Sequence, residues 1–182
     1  MAAGTGSSSS ARRPLESWIR TIPDFPRPGV QFRDLSPLIA DARALKRAVG
    51  DLTAPYRDAD LDAVAGLEAR GFIFGALAAG ALDLGFVPLR KAGKLPGAVE
   101  SVNYALEYGD ASLEVHRDAL KPGERVLLVD DVLATGGTAA AGVQLVRRLG
   151  AIVVACAVVI ELMALGGRAR LAGLDVHSVV KL

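Results

Sequence analysis

Asp130 and Asp131 close the apolar run in "RVLLVDDVLATGGTAAAG" (Arg125 to Gly142), and Thr135, Gly136, Gly137 and Thr138 follow at once, ahead of an alanine-rich helix former. A glycine-bearing turn at a helix start presents backbone N–H groups at the positive end of the helix dipole and lets a ligand approach without meeting a Cβ. That is the chemistry of a phosphate seat. Two carboxylates beside a phosphate would repel it unless they face hydrogen-bond donors, and a sugar diol supplies such donors.

Two other short stretches carry fixed positive charge, "EARG" (Glu68 to Gly71) and "RKAGK" (Arg90 to Lys94). In an open parallel sheet the ligand lies outside the carboxyl ends of the strands, so these two turns and "DDVLATGGT" are expected to converge. The combination describes a sugar phosphate that bears a second, more anionic group.

The elements that must position these residues read as alternating β and α. Val126 to Val129 is a buried parallel strand, and Thr138 to Leu149 is a helix closed by Gly150. "LDAVAGLEARGFIFGALAAGALDLG" repeats strand, turn and helix, with Gly85 as the stop, and "FVPLRK" and Ala151 to Ile160 are further strands. Helical spacing from Asp41 to about Tyr56 puts Leu45, Val49 and Leu52 on one face, with Asp41 as the cap. The expected fold is α/β with a mostly parallel sheet and helices on its faces. Between Gly93 and Lys121 the rhythm breaks: "SVNYALEYGDASLEVH" reads as a hairpin with its turn at Gly109-Asp110, a protrusion suited to act as a lid.

The 182 residues, 51% hydrophobic and 23% charged, suit one domain with a full core. A formal net charge of +1 gives no global field for nucleic acid or an anionic membrane, so an anion site must be local. The apolar stretches are too short or too interrupted to span a bilayer. Cys156, the single cysteine, sits among apolar neighbours and reads as core filler. His116 and His177 lack partners at metal-ligand spacing and read as structural. "MAAGTGSSSSARRP" has no apolar segment of a secretory signal, so residues 1–14 are expected to be a flexible tail before a single domain at 15–182. "TGGTAAAG" lacks the G-x-G-x-x-G spacing of a dinucleotide site.

An apolar strand, two acids and a Thr-Gly-Gly-Thr loop resemble the signature of the type I phosphoribosyltransferases. Four further stretches match in the same order, "IPDFPRPGVQFRDLSPL", "GLEARGFIFG", "VPLRKAGKLPG" and "YALEYGDASLEVH", and the likeness runs from about Trp18 to about Gly167. The resemblance implies a Rossmann-type core with a hairpin lid at about 95–118 and a small hood formed by the N-terminal segment. It implies transfer of a 5-phosphoribosyl group from phosphoribosyl pyrophosphate to N9 of adenine, with Mg²⁺ held mainly through that substrate.

Residue by residue, the resemblance assigns Ala134, Thr135, Gly136, Gly137 and Thr138 to the 5′-phosphate, and Asp130 and Asp131 to the ribose hydroxyls. Arg70, Arg90, Lys91 and Lys94 surround the pyrophosphate, where charge develops in the transition state, and Arg70 is assigned a catalytic role there. Glu107, on the hairpin beside the lid residue Tyr108, is assigned a catalytic role toward the purine imidazole. Phe32 stacks on the purine, the backbone of Gln31 and Arg33 reads its edge, and Leu162 covers the other face. A homodimer and cytoplasmic residence are further expectations. Two rivals share the fold: a sister transferase for another base, and a non-catalytic sensor of phosphoribosyl pyrophosphate, which would need a DNA-binding segment for which the sequence has too few residues ahead of the match.

Overall fold

The computed structural model describes residues 13–105 and 110–182. The chain divides into two compact units, Met1–Ala48 and Val49–Leu182.

In the first unit a short 3₁₀ turn at Leu15–Trp18 precedes strands β1 (Arg20–Pro23) and β2 (Gln31–Asp34), which pair antiparallel with Ile22 opposite Phe32. The loop between them turns through positive φ at Asp24 and Gly29, and the Asp24 carboxylate accepts from Gly29 N at 2.7 Å. Helix α1 (Ser36–Ala40) follows, then α2 (Ala42–Thr53), whose residues from Val49 on belong to the second unit. Asp41 caps α2 as expected: its Oδ1 accepts from Arg43 N at 3.0 Å and Ala44 N at 2.8 Å. On α2, Val49 and Leu52 are buried and Leu45 is half-buried.

The second unit is built on strands β3 (Ala63–Leu67), β4 (Gly85–Lys91), β5 (Val99–Ala105), β6 (Asp110–His116), β7 (Arg125–Leu133), β8 (Ile152–Glu161) and β9 (Asp175–Lys181). Among the described residues they form one sheet in the order β5-β6-β4-β3-β7-β8-β9. The five strands β4, β3, β7, β8 and β9 are mutually parallel, and the β5-β6 hairpin is added antiparallel at the β4 edge. Taken in chain order, the parallel strands are arranged 2-1-3-4-5. The chain therefore reverses direction across the sheet between β3 and β7, which is the place where such folds open a ligand crevice.

Helices α3 (Gly71–Leu82) and α4 (Gly137–Arg148) cover opposite faces, and the pleat of β3 shows how. Gly66 faces α3, where a Cβ would come within 2.6 Å of the Phe86 ring; its neighbour Leu67 reaches α4, where it would lie 2.9 Å from a Cβ on Gly142. Small residues at these points let helix and sheet close up over a core of Leu67, Leu89, Leu113, Leu128, Leu145 and Val158. Cys156 lies in the same core, as expected, and burial pushes its thiol up to about 12.

Three elements depart from the expectations. Strand β7 does not stop at Val129 but runs through both acids to Leu133. It pairs with β3 only as far as Val129, yet with β8 up to Leu133 opposite Glu161. One continuing ladder is enough to hold the backbone extended. Helix α3 stops at Asp83 rather than Gly85: Asp83 takes the left-handed conformation and Leu84 N returns to Ala79 O at 2.9 Å. A short polar side chain tolerates that region, so no glycine is needed. The hairpin has the two arms expected of it, but its arms are strands of the main sheet, β5 at the edge and β6 between β5 and β4, with Val102, Leu113 and Val115 in the core and Arg148 donating to Ser101 O at 2.7 Å. Its tip, including Glu107 and Tyr108, lies outside the described residues.

Candidate active site

Strands β3 and β7 deliver the chemistry to the crevice between them. Past Val129 the carboxylates of Asp130 and Asp131 stand at the open end of β7, and Asp131 N donates to Asp130 Oδ1 at 2.8 Å. Burial, and then the neighbouring Asp131 carboxylate, push Asp130 well above the usual carboxylate range. Arg70, at the end of the β3 turn, places Nε 2.5 Å from Asp131 Oδ2. The peptide between Glu68 and Ala69 in that turn is cis.

Gly71 opens α3 directly against this acid pair. A Cβ there would stand 2.6 Å from Asp130 Oδ1 and 3.2 Å from Asp130 Cα. The last residue of "EARG" thus has a purpose the sequence reading did not assign: its lack of a side chain lets α3 and β7 meet over the carboxylate. A glycine placed directly after a turn cation, at the first position of a helix, was the available signal.

The second half of the opening motif forms the other wall. Gly136 takes φ +82° and precedes α4, whose first backbone bond within this turn is Ala140 N to Gly136 O at 2.9 Å. The amides of Gly137, Thr138 and Ala139 come before that bond in the first turn, and among the described residues no side chain caps the helix. They point along the positive end of a twelve-residue helix, which is an anion-binding arrangement. Leu162 N donates to Leu133 O at 2.9 Å, so the expected base-covering residue stands at the same end of the sheet as this loop.

On the other side, Arg90 at the end of β4 is held by Glu68. Its Nε lies 3.3 Å from Glu68 Oε2, the same oxygen accepts from Lys91 N at 2.9 Å, and Arg90 also donates to Lys94 O at 3.1 Å. Glu68 is thereby an orienting group for the cationic turn, a role the sequence reading missed. The side chains of Lys91 and Lys94 are exposed. The three turns expected to converge lie at the ends of neighbouring strands, in the order β4, β3, β7.

Gln31, Phe32 and Arg33 are in the first unit. Phe32 meets Phe25 edge to face with ring centroids 5.2 Å apart, and the Arg33 guanidinium bonds the Thr21 hydroxyl across the β1-β2 pair. His177 Nε2 lies 3.0 Å from Asp51 O, a structural contact of the kind expected. Among the described residues, no helix is long and apolar enough to cross a membrane.

A crevice with paired acids, a phosphate-ready helix start and two cationic turns fits the class whose model, "Phosphoribosyl transferase domain", matches residues 38–175. An adenine phosphoribosyltransferase from Paracoccus denitrificans is 62% identical over 169 residues, 92% of this chain and 90% of the relative. The crystal structure of the adenine phosphoribosyltransferase from Rhodothermus marinus superposes with a TM-score of 0.88 at 50% identity, covering 92% of this chain and 96% of that one. The Saccharomyces cerevisiae adenine phosphoribosyltransferase, complexed with an imino-altritol bisphosphate and adenine, gives a TM-score of 0.86 at 37% identity over 91% of this chain and 96% of that one. This chain belongs to the adenine phosphoribosyltransferase family.

Proposed function

We propose that this chain salvages purines by transferring the 5-phosphoribosyl group of phosphoribosyl pyrophosphate to N9 of adenine, with AMP and pyrophosphate as products. The observation that carries this reading is the open first turn of α4 beside the Asp130–Asp131 pair at the switch point of the sheet. The names of its relatives support the same activity.

In this reading the backbone N–H groups of Ala134 to Thr138, with the Thr135 and Thr138 hydroxyls, donate to the 5′-phosphate. Asp130 and Asp131 accept from the ribose hydroxyls, and those O–H donors stabilise the ionised carboxylates against burial and mutual repulsion. Arg70, Arg90, Lys91 and Lys94 provide positive charge for the departing pyrophosphate, whose negative charge grows as its bond to the ribose breaks. Glu68 keeps Arg90 aimed while that happens.

Mg²⁺ prefers one or two carboxylates together with substrate oxygens. Among the described residues no three His, Cys, Asp or Glu side chains gather into a cage, and Asp130 and Asp131 are the oxygen donors that fit an ion arriving with the diphosphate. The ion would neutralise charge on the leaving group.

For the base, Phe32 and Leu162 provide apolar cover, and backbone groups of Gln31 and Arg33 read the purine edge. A carbonyl that accepts from an exocyclic amine selects adenine, because a 6-oxopurine would set oxygen against oxygen and leave buried polar groups unpaired. Glu107 manages the imidazole proton as N9 attacks, and the hairpin with Tyr108 shields the oxocarbenium-like ribose from water. A homodimer and residence in the cytoplasm complete the reading. The first is favoured by exposed apolar residues on α3, the second by where both substrates are available.

The test is AMP formation from adenine and phosphoribosyl pyrophosphate with Mg²⁺, beside hypoxanthine, guanine, xanthine and orotate. Turnover confined to adenine, abolished by Asp130→Asn/Asp131→Asn and lowered about a hundredfold in kcat by Glu107→Gln, is the expected result. Turnover of another base would overturn the role of Phe32 and its neighbours. Substrate binding without any turnover would make the chain a sensor.

A further inference from the structure

The phosphate loop does not stand alone. Gly136 and Gly167 meet backbone to backbone: a Cβ on Gly136 would overlap the Gly167 carbonyl, and a Cβ on Gly167 would overlap the Ala134 carbonyl and stand 2.9 Å from Gly136 N. The path of residues 134 to 136 is therefore set by where Gly167 sits. Gly167 is the first residue of a short 3₁₀ turn, Gly167–Leu171, and Gly166 before it takes φ +62°. Neither that φ nor a five-residue turn is rigid by itself.

What holds the turn is its second residue. Arg168 makes a two-pronged ion pair with Glu161 at the end of β8, Nε to Oε1 at 2.9 Å and Nη2 to Oε2 at 2.6 Å. Its Nη1 donates to Val176 O of β9 at 2.8 Å, and Nη2 lies 3.3 Å from Ser178 Oγ, which itself donates to Glu161 Oε2. Glu161 is only 3% exposed, and among the described residues its carboxylate accepts hydrogen bonds from Arg168 and Ser178. One guanidinium thus ties the turn to two parallel strands, with bidentate geometry that fixes direction as well as distance.

We propose that the Glu161–Arg168–Ser178 cluster is a positioning device for the phosphate loop, acting through Gly167 and tuned to the phosphoribosyl substrate rather than to the base. None of its three side chains needs to touch substrate. Arg168 sets the height of Gly167, Gly167 sets the carbonyl of Ala134 and the amide of Gly136, and these set the amides that follow. The proposal rests on the loop being the 5′-phosphate seat.

The experiment compares wild type, Arg168→Lys and Ser178→Ala. It reads KM for each substrate, kcat, and calorimetric binding of ribose 5-phosphate alone. Lysine keeps the charge and loses the fork, so loosening the loop should raise KM for phosphoribosyl pyrophosphate and weaken ribose 5-phosphate binding by about tenfold, leaving KM for adenine within about twofold. Ser178→Ala, which leaves the ion pair in place, should shift the same two quantities in the same direction by less. Unchanged ribose 5-phosphate binding in both variants would overturn the proposal, whatever happens to Tm. Equal rises in both KM values would overturn it as well, because they would mean general damage. If wild type itself binds neither ribose 5-phosphate nor phosphoribosyl pyrophosphate, it is the functional reading above that falls.

Discussion

Asp34, at the end of β2, shows how a single carboxylate can order a stretch that carries the residues proposed to recognise the base. Its Oδ1 accepts from the Ser36 hydroxyl at 2.6 Å and the Ser36 amide at 2.9 Å, and its Oδ2 takes the Arg20 guanidinium from the paired strand. The Ser36 hydroxyl first, then the Ser36 amide and Arg20, lower its pKa to about 2. A carboxylate whose folded pKa is depressed contributes stability that is complete above its unfolded value near 4 and is lost as pH falls through the folded one. Acid unfolding should therefore steepen between about pH 4 and 2, and Asp34→Asn should flatten that limb while lowering stability at neutral pH. Parallel slopes for the two proteins in a pH series of denaturant melts would show that Asp34 has no such role. In "GVQFRD" the aspartate is thus the structural member of a stretch whose other residues are assigned to the base.

Among the elements, α3 and β7 approach each other closely beside the acid pair. Gly71 is the residue that permits it, since a methyl group there meets Asp130 Oδ1 at 2.6 Å and backbone immediately behind. Gly71→Ala should cost about 1–3 kcal/mol of stability by overpacking. It should also weaken phosphoribosyl pyrophosphate more than adenine, since the displaced atom belongs to the carboxylate proposed to bind the ribose hydroxyls. Melting curves and the two KM values check both parts, and an alanine variant with native KM for phosphoribosyl pyrophosphate would show that the carboxylate can yield. The contrast with Gly80, on the same helix, is instructive: among the described residues nothing stands within 4 Å of a Cβ there. Composition counts both glycines alike, and only the packing separates them.

At the scale of the whole molecule, α3 carries apolar residues around its entire circumference, and a helix of that kind is normally buried on all sides. Here Phe74 and Ala78 face the sheet, yet Ile73 and Leu77, one turn apart, are 38% and 41% exposed. A second copy of this chain covering that stripe would explain why it is apolar, in keeping with the proposed homodimer. Sedimentation should find a dimer at micromolar concentration, and Leu77→Asp should convert it to monomer. A monomeric wild-type protein would leave the stripe without this explanation.

The alternation of strands and helices, the pairing of acids with a glycine turn, the cap at Asp41 and the buried Cys156 were all legible from residue order, because each depends on local periodicity, backbone conformation or nearby charge. The reach of β7 through Asp130 and Asp131 was not, since it depends on a ladder with β8 that lies far along the chain. Asp83 ended α3 in place of Gly85 for a different reason, a left-handed residue that composition does not mark. Glu68 behind Arg90, Gly71 under Asp130 and Gly167 against Gly136 were equally hidden. Residue types and spacing determined which chemistry this protein carries; close approach between segments distant in sequence decided how the groups are aimed, because packing distances are a property of the folded chain and leave no periodic trace in its order.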